Sequence, residues 1–64
     1  MTPKQYKTAI AALGMSQEGA GEWLGVSPRT GQRYASDGPP KAVAMLLRLM
    51  LKSGLDPAEV EGIR

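Results

Sequence analysis

The five residues Leu24-Gly25-Val26-Ser27-Pro28 constrain this chain more than any others. A glycine just past an apolar helical stretch stops the helix, because it takes a positive φ without a side-chain clash. One residue later, serine offers a hydroxyl to cap a new helix, and proline fits the first helical position, where no amide bond is lost. Two helices must therefore meet across a very short corner. Upstream, Ser16 is placed to cap a helix starting at Gln17, and Ala20, Trp23 and Leu24 recur at helical spacing, so they share a face. Downstream, the second helix is predicted to run to about Ser36 or Asp37, with Gly38 as its stop and Pro39-Pro40 forbidding continuation.

The flanks follow the same logic. Thr2-Pro3-Lys4-Gln5 has the form of a capping box, with Thr2 as cap and Gln5 reaching back to its amide. The helix it opens should reach about Leu13, with Tyr6, Ala9, Ile10 and Leu13 as the buried stripe and Gly14 as the stop. A further helix is expected from about Pro40 to Ser53, closed by Gly54. Val43, Leu46, Leu47 and Met50 form one apolar face, and Ala42, Met45 and Leu49 form another. One face can cover the central pair of helices; the other is a candidate homodimer interface. Asp56-Pro57-Ala58-Glu59 repeats the capping signature and predicts a short terminal turn, from which Leu55, Val60 and Ile63 can pack back on the body or on a partner. Met15, Met45 and Met50 read as core fillers.

The stretch Gln17–Ser36 resembles the helix-turn-helix of the lambda-repressor and Cro-like family of DNA-binding proteins. The resemblance is carried by Gln17, Ala20, Leu24, the turn Leu24-Gly25-Val26-Ser27, the following Pro28-Arg29-Thr30, and the aromatic Tyr34. With its flanking helices it covers about residues 2–53. Gly21 departs from the pattern where the family usually has alanine, and Gly31 where it has a branched core residue. Each glycine weakens a helix interior by roughly 0.5–1 kcal/mol relative to alanine. The space beside Gly31 is expected to be either open or filled by Trp23 or Tyr34.

The resemblance implies an all-α, four-helix lambda-repressor-like domain over residues 1–54, with residues 55–64 as a short C-terminal turn or tail. It implies duplex DNA as partner, a homodimer, and a small transcriptional regulator that represses by occupancy. Base-contacting positions fall on Pro28, Arg29, Gln32 and Arg33. Backbone-contacting positions fall on Gln17, Ser27, Thr30 and Ser36. The residue types suit that work, since arginine pairs bidentately with guanine and glutamine with adenine. Lys4, Lys7 and Lys41 are candidates for contact with phosphate alone. The competing interpretation takes Arg29, Gln32 and Arg33 as an ordinary solvated helix face, on a protein-interaction module that keeps the fold without binding DNA.

Composition narrows the field. Sixty-four residues make one domain near the lower size limit for independent folding, and the absence of cysteine excludes a disulfide staple. The chain has no histidine, and no serine has a base to activate it, so no enzyme, metal or cofactor is expected. No small-molecule ligand is evident either. The net charge is only +2, but residues 1–52 carry seven Lys/Arg against Glu18, Glu22 and Asp37, while residues 53–64 carry Arg64 against Asp56, Glu59 and Glu61. A basic body suits a polyanionic partner. Met1-Thr2-Pro3 lacks a basic region followed by an apolar run, and Ala42–Leu51 is broken by Arg48 and too short for a bilayer, so a cytoplasmic protein is expected, and the resemblance implies that it is nucleoid-associated.

Overall fold

The computed structural model describes residues 1–62. Five helices, and no strands, occur among them: α1 (Pro3–Ala12), α2 (Gln17–Leu24), α3 (Pro28–Asp37), α4 (Lys41–Ser53) and α5 (Pro57–Glu61). The chain is all-α. The expected terminal turn is a fifth helix of five residues. Ile63 and Arg64 lie outside the described residues.

The helix ends are set by local chemistry. Thr2 Oγ1 accepts from the Gln5 amide at 3.1 Å, and Gln5 Oε1 accepts from the Thr2 amide at 2.9 Å, completing the capping box. Ser16, Ser27 and Asp56 cap α2, α3 and α5 in the same way, each accepting from the amide three residues on. Such caps are worth about 1 kcal/mol each, a sizeable share of the stability of so short a chain. Proline occupies the first position of α1, α3 and α5. Two boundaries differ slightly from expectation. Helix α1 ends at Ala12 with Leu13 as its cap, and α4 begins at Lys41 because Pro40, extended at φ −64° and ψ 161°, is the cap and not the first helical residue.

One core joins α1 to the α2–α3 pair and to α4. Tyr6, Ala9 and Ile10 from α1 meet Ala20 from α2, Ala35 from α3 and Leu47 from α4. Met1, Leu13, Met15, Tyr34 and Val43 close around them. The alanines are small because three helices converge there, and the larger volume comes from Tyr6, Ile10 and Leu47. Burying a side chain such as Leu47 contributes about 1.5–3 kcal/mol, and Leu47→Ala would cost roughly 2–5 kcal/mol. A chain of this length has a total of only a few kcal/mol to lose. Tyr6 and Tyr34 meet edge to face, their ring centroids 6.1 Å apart and their planes at 83°.

Helix α4 departs from the sequence reading in two places. Ala44, on neither of the two expected apolar faces, is buried. Met45 is not a core filler: it is 56% exposed. Met50, by contrast, is fully buried, and Met15 is half-buried against the core.

The C-terminal segment is tied to the body by one specific bond. Trp23 Nε1 on α2 donates to the Pro57 carbonyl at 3.2 Å. Leu55 and Val60 are half-buried on the same segment.

Candidate nucleic-acid interface

Helices α2 and α3 are joined through residues 25–27. Gly25 takes φ 75° and ψ 23°, the left-handed conformation that glycine adopts freely. Its amide donates to the Glu22 carbonyl at 3.0 Å, and the Val26 amide donates to the Gly21 carbonyl at 3.0 Å. This pair of bonds is a Schellman motif, which satisfies carbonyls that the helix end would otherwise leave open. Val26 turns its side chain in toward Gly21. Ser27 then restarts the chain: its hydroxyl accepts from the Thr30 amide at 3.2 Å and donates to Thr30 Oγ1 at 3.0 Å. Every residue of the corner is committed to a bond or a contact, so the start of α3 is fixed relative to α2.

The two helices approach each other closely at Gly21 and Gly31. A methyl built on Gly31 would lie 3.4 Å from the Gly21 Cα, and one built on Gly21 would lie 3.5 Å from the Gly31 Cα. Neither Trp23 nor Tyr34 fills the space beside Gly31; the backbone of α2 does. The two glycines floor a cleft of about 280 Å³ whose walls are Gln17 and Glu18 from α2 and Pro28 and Gln32 from α3.

At 100° per residue, Gly31, Tyr34 and Ala35 face the core, which leaves Arg29, Arg33 and Ser36 at the centre of the outward arc. Gln32 and Pro28 flank them on the α2 side, and Thr30 and Asp37 on the other. Arg29, Gln32, Arg33 and Ser36 are all exposed, as are Gln17, Ser27 and Pro28. Thr30 is half-buried and lines a second hollow of about 190 Å³ with Arg33, Tyr34, Asp37 and Gly38. Of the expected site residues, Gln17, Pro28 and Gln32 surround the glycine cleft, Thr30 and Arg33 surround the second hollow, and Ser27, Arg29 and Ser36 line neither. Ser36 Oγ donates back to the Arg33 carbonyl at 3.3 Å. The hydroxyls of Ser27, Thr30 and Ser36 thus have partners within the chain and are at least partly occupied with shaping α3.

Two carboxylates stand on this surface that the sequence reading left off it. Glu18 lines the glycine cleft, where the N-terminal end of α2 favours a negative charge. Asp37 shares the second hollow with Arg33, four residues earlier on the same helix. The adjacency of Glu18 to Gln17 and the four-residue spacing of Arg33 and Asp37 were the signals for both. Glu18 and Asp37 leave the α3 face nearly neutral. The cations instead gather elsewhere: α1 carries Lys4 and Lys7, α4 carries Lys41, Arg48 and Lys52, and neither helix holds a carboxylate.

Ala42, Met45 and Leu49 lie on the solvent side of α4, exposed, with Leu49 at 59%. Among the described residues there is no group of three or more Asp, Glu, His or Cys able to hold a metal ion, and no helix long and apolar enough to cross a membrane.

Fold and site together define a small all-α domain with a helix–turn–helix at its centre. No family model, curated protein or solved structure matches the chain.

Proposed function

We propose that this chain is a lambda-repressor-like domain that binds duplex DNA in a sequence-specific manner, with α3 lying in the major groove and α2 bracing it. The observation that carries this reading is the outward face of α3. Arg29, Gln32, Arg33 and Ser36 share it, free of core duties, on a helix whose start is locked by the Leu24–Pro28 corner. A reader of base edges needs long donors and acceptors on a rigidly held helix. Gln32 and Arg29 or Arg33 read bases; Gln17, at the N-terminus of α2, holds phosphate. A second copy, docked through Ala42, Met45 and Leu49, gives two recognition helices and repression by occupancy.

A second reading is supported by Glu18 and Asp37. Carboxylates on the same face repel phosphate, and they favour a protein-interaction module built on the same helices. Gel shift on random duplex DNA at low salt, followed by selection of bound sites, separates the two. Enrichment of a defined sequence supports the DNA reader; absence of any shifted species supports the interaction module.

A further inference from the structure

Helices α1 and α4 enclose a shallow groove of about 400 Å³, lined by Met1, Lys4, Thr8, Ala12, Arg48 and Leu51 among others. It lies on the opposite side of Arg48 from the Met45–Leu49 stripe and does not involve α2 or α3. Leu51, at 42% exposure, and Ala12 are apolar groups left facing solvent on its floor. Lys4 and Arg48 stand on its walls, and no carboxylate lines it. The asymmetry extends past the groove. The two helices that form it hold five Lys/Arg and no Asp/Glu, whereas the carboxylates of the described residues sit on α2, on α3 and at residues 56–61.

From this charge complementarity we infer that the groove docks an acidic amphipathic helix from a different protein. The groove where α1 and α4 pack on each other offers a trough into which a third helix lays its apolar ridge. The small side chain of Ala12 permits close approach, and Leu51 and Met1 meet the apolar stripe. Lys4 and Arg48 pair with carboxylates on the flanks of that helix. A phosphate backbone has cations to meet here but no use for an apolar floor. A second copy seated two-fold on this groove would set Lys4 and Arg48 against their own counterparts, whereas the Ala42–Met45–Leu49 stripe presents apolar side chains.

The test uses the full chain and a labelled synthetic helix of about 15 residues, leucine at positions i, i+3, i+4 and i+7 and glutamate on both flanks. Its counterpart replaces every glutamate by lysine. The glutamate peptide should bind about tenfold more tightly or better than the lysine peptide. Leu51→Glu and Arg48→Glu should each weaken it by about tenfold, equivalent to 1.4 kcal/mol, with Glu22→Gln, exposed on α2, as an unaffected control. Both groove positions are exposed, and an unchanged thermal midpoint verifies that each variant is folded. Equal binding of the two peptides, or indifference to both groove variants, overturns the proposal. So does a preference for vesicles containing phosphatidylserine, loss of self-association in Leu51→Glu, or a loss of duplex-DNA binding in Arg48→Glu that matches the loss of peptide binding. Those outcomes would assign the groove to a lipid surface, a second copy or a phosphate backbone. None of the peptide results depends on whether α3 reads DNA.

Discussion

Gly21 of α2 and Gly31 of α3 meet backbone to backbone, so that a methyl group on Gly31 would stand 3.4 Å from the Gly21 Cα. That distance is ordinary van der Waals contact. A single alanine at either position is therefore accommodated, and each should stabilise the fold by up to about 1 kcal/mol through helix propensity. The two methyls, however, point into the same space. The double variant should fall short of the sum of the single gains by about 0.5 kcal/mol or more. Thermal melts of the four proteins of the cycle give the coupling; full additivity would show that the helices separate at no cost.

Tyr6 presents a different kind of imbalance. Its ring is fully buried, yet its hydroxyl has no hydrogen-bond partner among the described residues. An unpaired buried hydroxyl costs about 1–3 kcal/mol, so Tyr6→Phe should leave stability unchanged or raise it by about 1 kcal/mol. Burial, with Tyr34 close by, also pushes the Tyr6 hydroxyl above the ordinary tyrosine value of 10.0. The unfolded chain then releases this proton before the folded chain does. Stability from this group is complete below the unfolded value and falls as pH rises through the folded value. Wild type should lose midpoint temperature faster than Tyr6→Phe as the pH is raised beyond about 10; parallel curves would mean that Tyr6 titrates normally.

What the sequence made legible is what is encoded within a few residues. The Thr2–Gln5 capping box, the serine caps at Ser16 and Ser27, and the Gly25 corner depend on near neighbours alone, and each forms as expected. The Tyr6–Ala9–Ile10 stripe is likewise a local periodicity. Features that depend on residues far apart in the chain were not legible. The Gly21–Gly31 contact, the burial of Ala44, and the Trp23–Pro57 bond each require knowing which surfaces meet. The exposure of Met45 was half legible: its apolar side chain fits a core, and only the angular position opposite Leu47 places it in solvent. At the candidate site, the outward set Arg29, Gln32, Arg33 and Ser36 was legible from helical spacing. The company of Glu18 and Asp37 was half legible: their spacing from Gln17 and Arg33 pointed to it, but the cleft that Glu18 lines exists only once α2 and α3 are packed.

The bond from Trp23 to the Pro57 carbonyl gives the C-terminal segment a spectroscopic handle. Trp23 is the chain's sole tryptophan and is half-buried. Ending the chain at Gly54 should shift its fluorescence emission to longer wavelength. Trp23→Phe in the full chain should cost about 1 kcal/mol, the net worth of one hydrogen bond. An unshifted spectrum in the shortened protein would show that residues 55–62 contribute no cover.

Assembly through α4 is tested at Leu49. Because Leu49 is 59% exposed, Leu49→Lys should leave the folded chain intact. In sedimentation, wild type should show a dimer at high concentration and the variant a monomer, as expected for a closed two-fold pair. A monomeric wild type would remove the Ala42–Met45–Leu49 interface.

Base reading by α3 is decided by comparing affinities on a selected duplex and on a scrambled one for Arg29→Ala, Gln32→Ala and Arg33→Ala. These side chains are exposed, so none of the substitutions should disturb the fold. Gln32→Ala should lose about 1–3 kcal/mol on the selected site and relax the choice at one base pair, while binding to scrambled DNA changes little. Arg29→Ala or Arg33→Ala should do the same at another position. If all three variants keep the wild-type ratio of selected to scrambled affinity, α3 does not read DNA and the interaction-module reading replaces it.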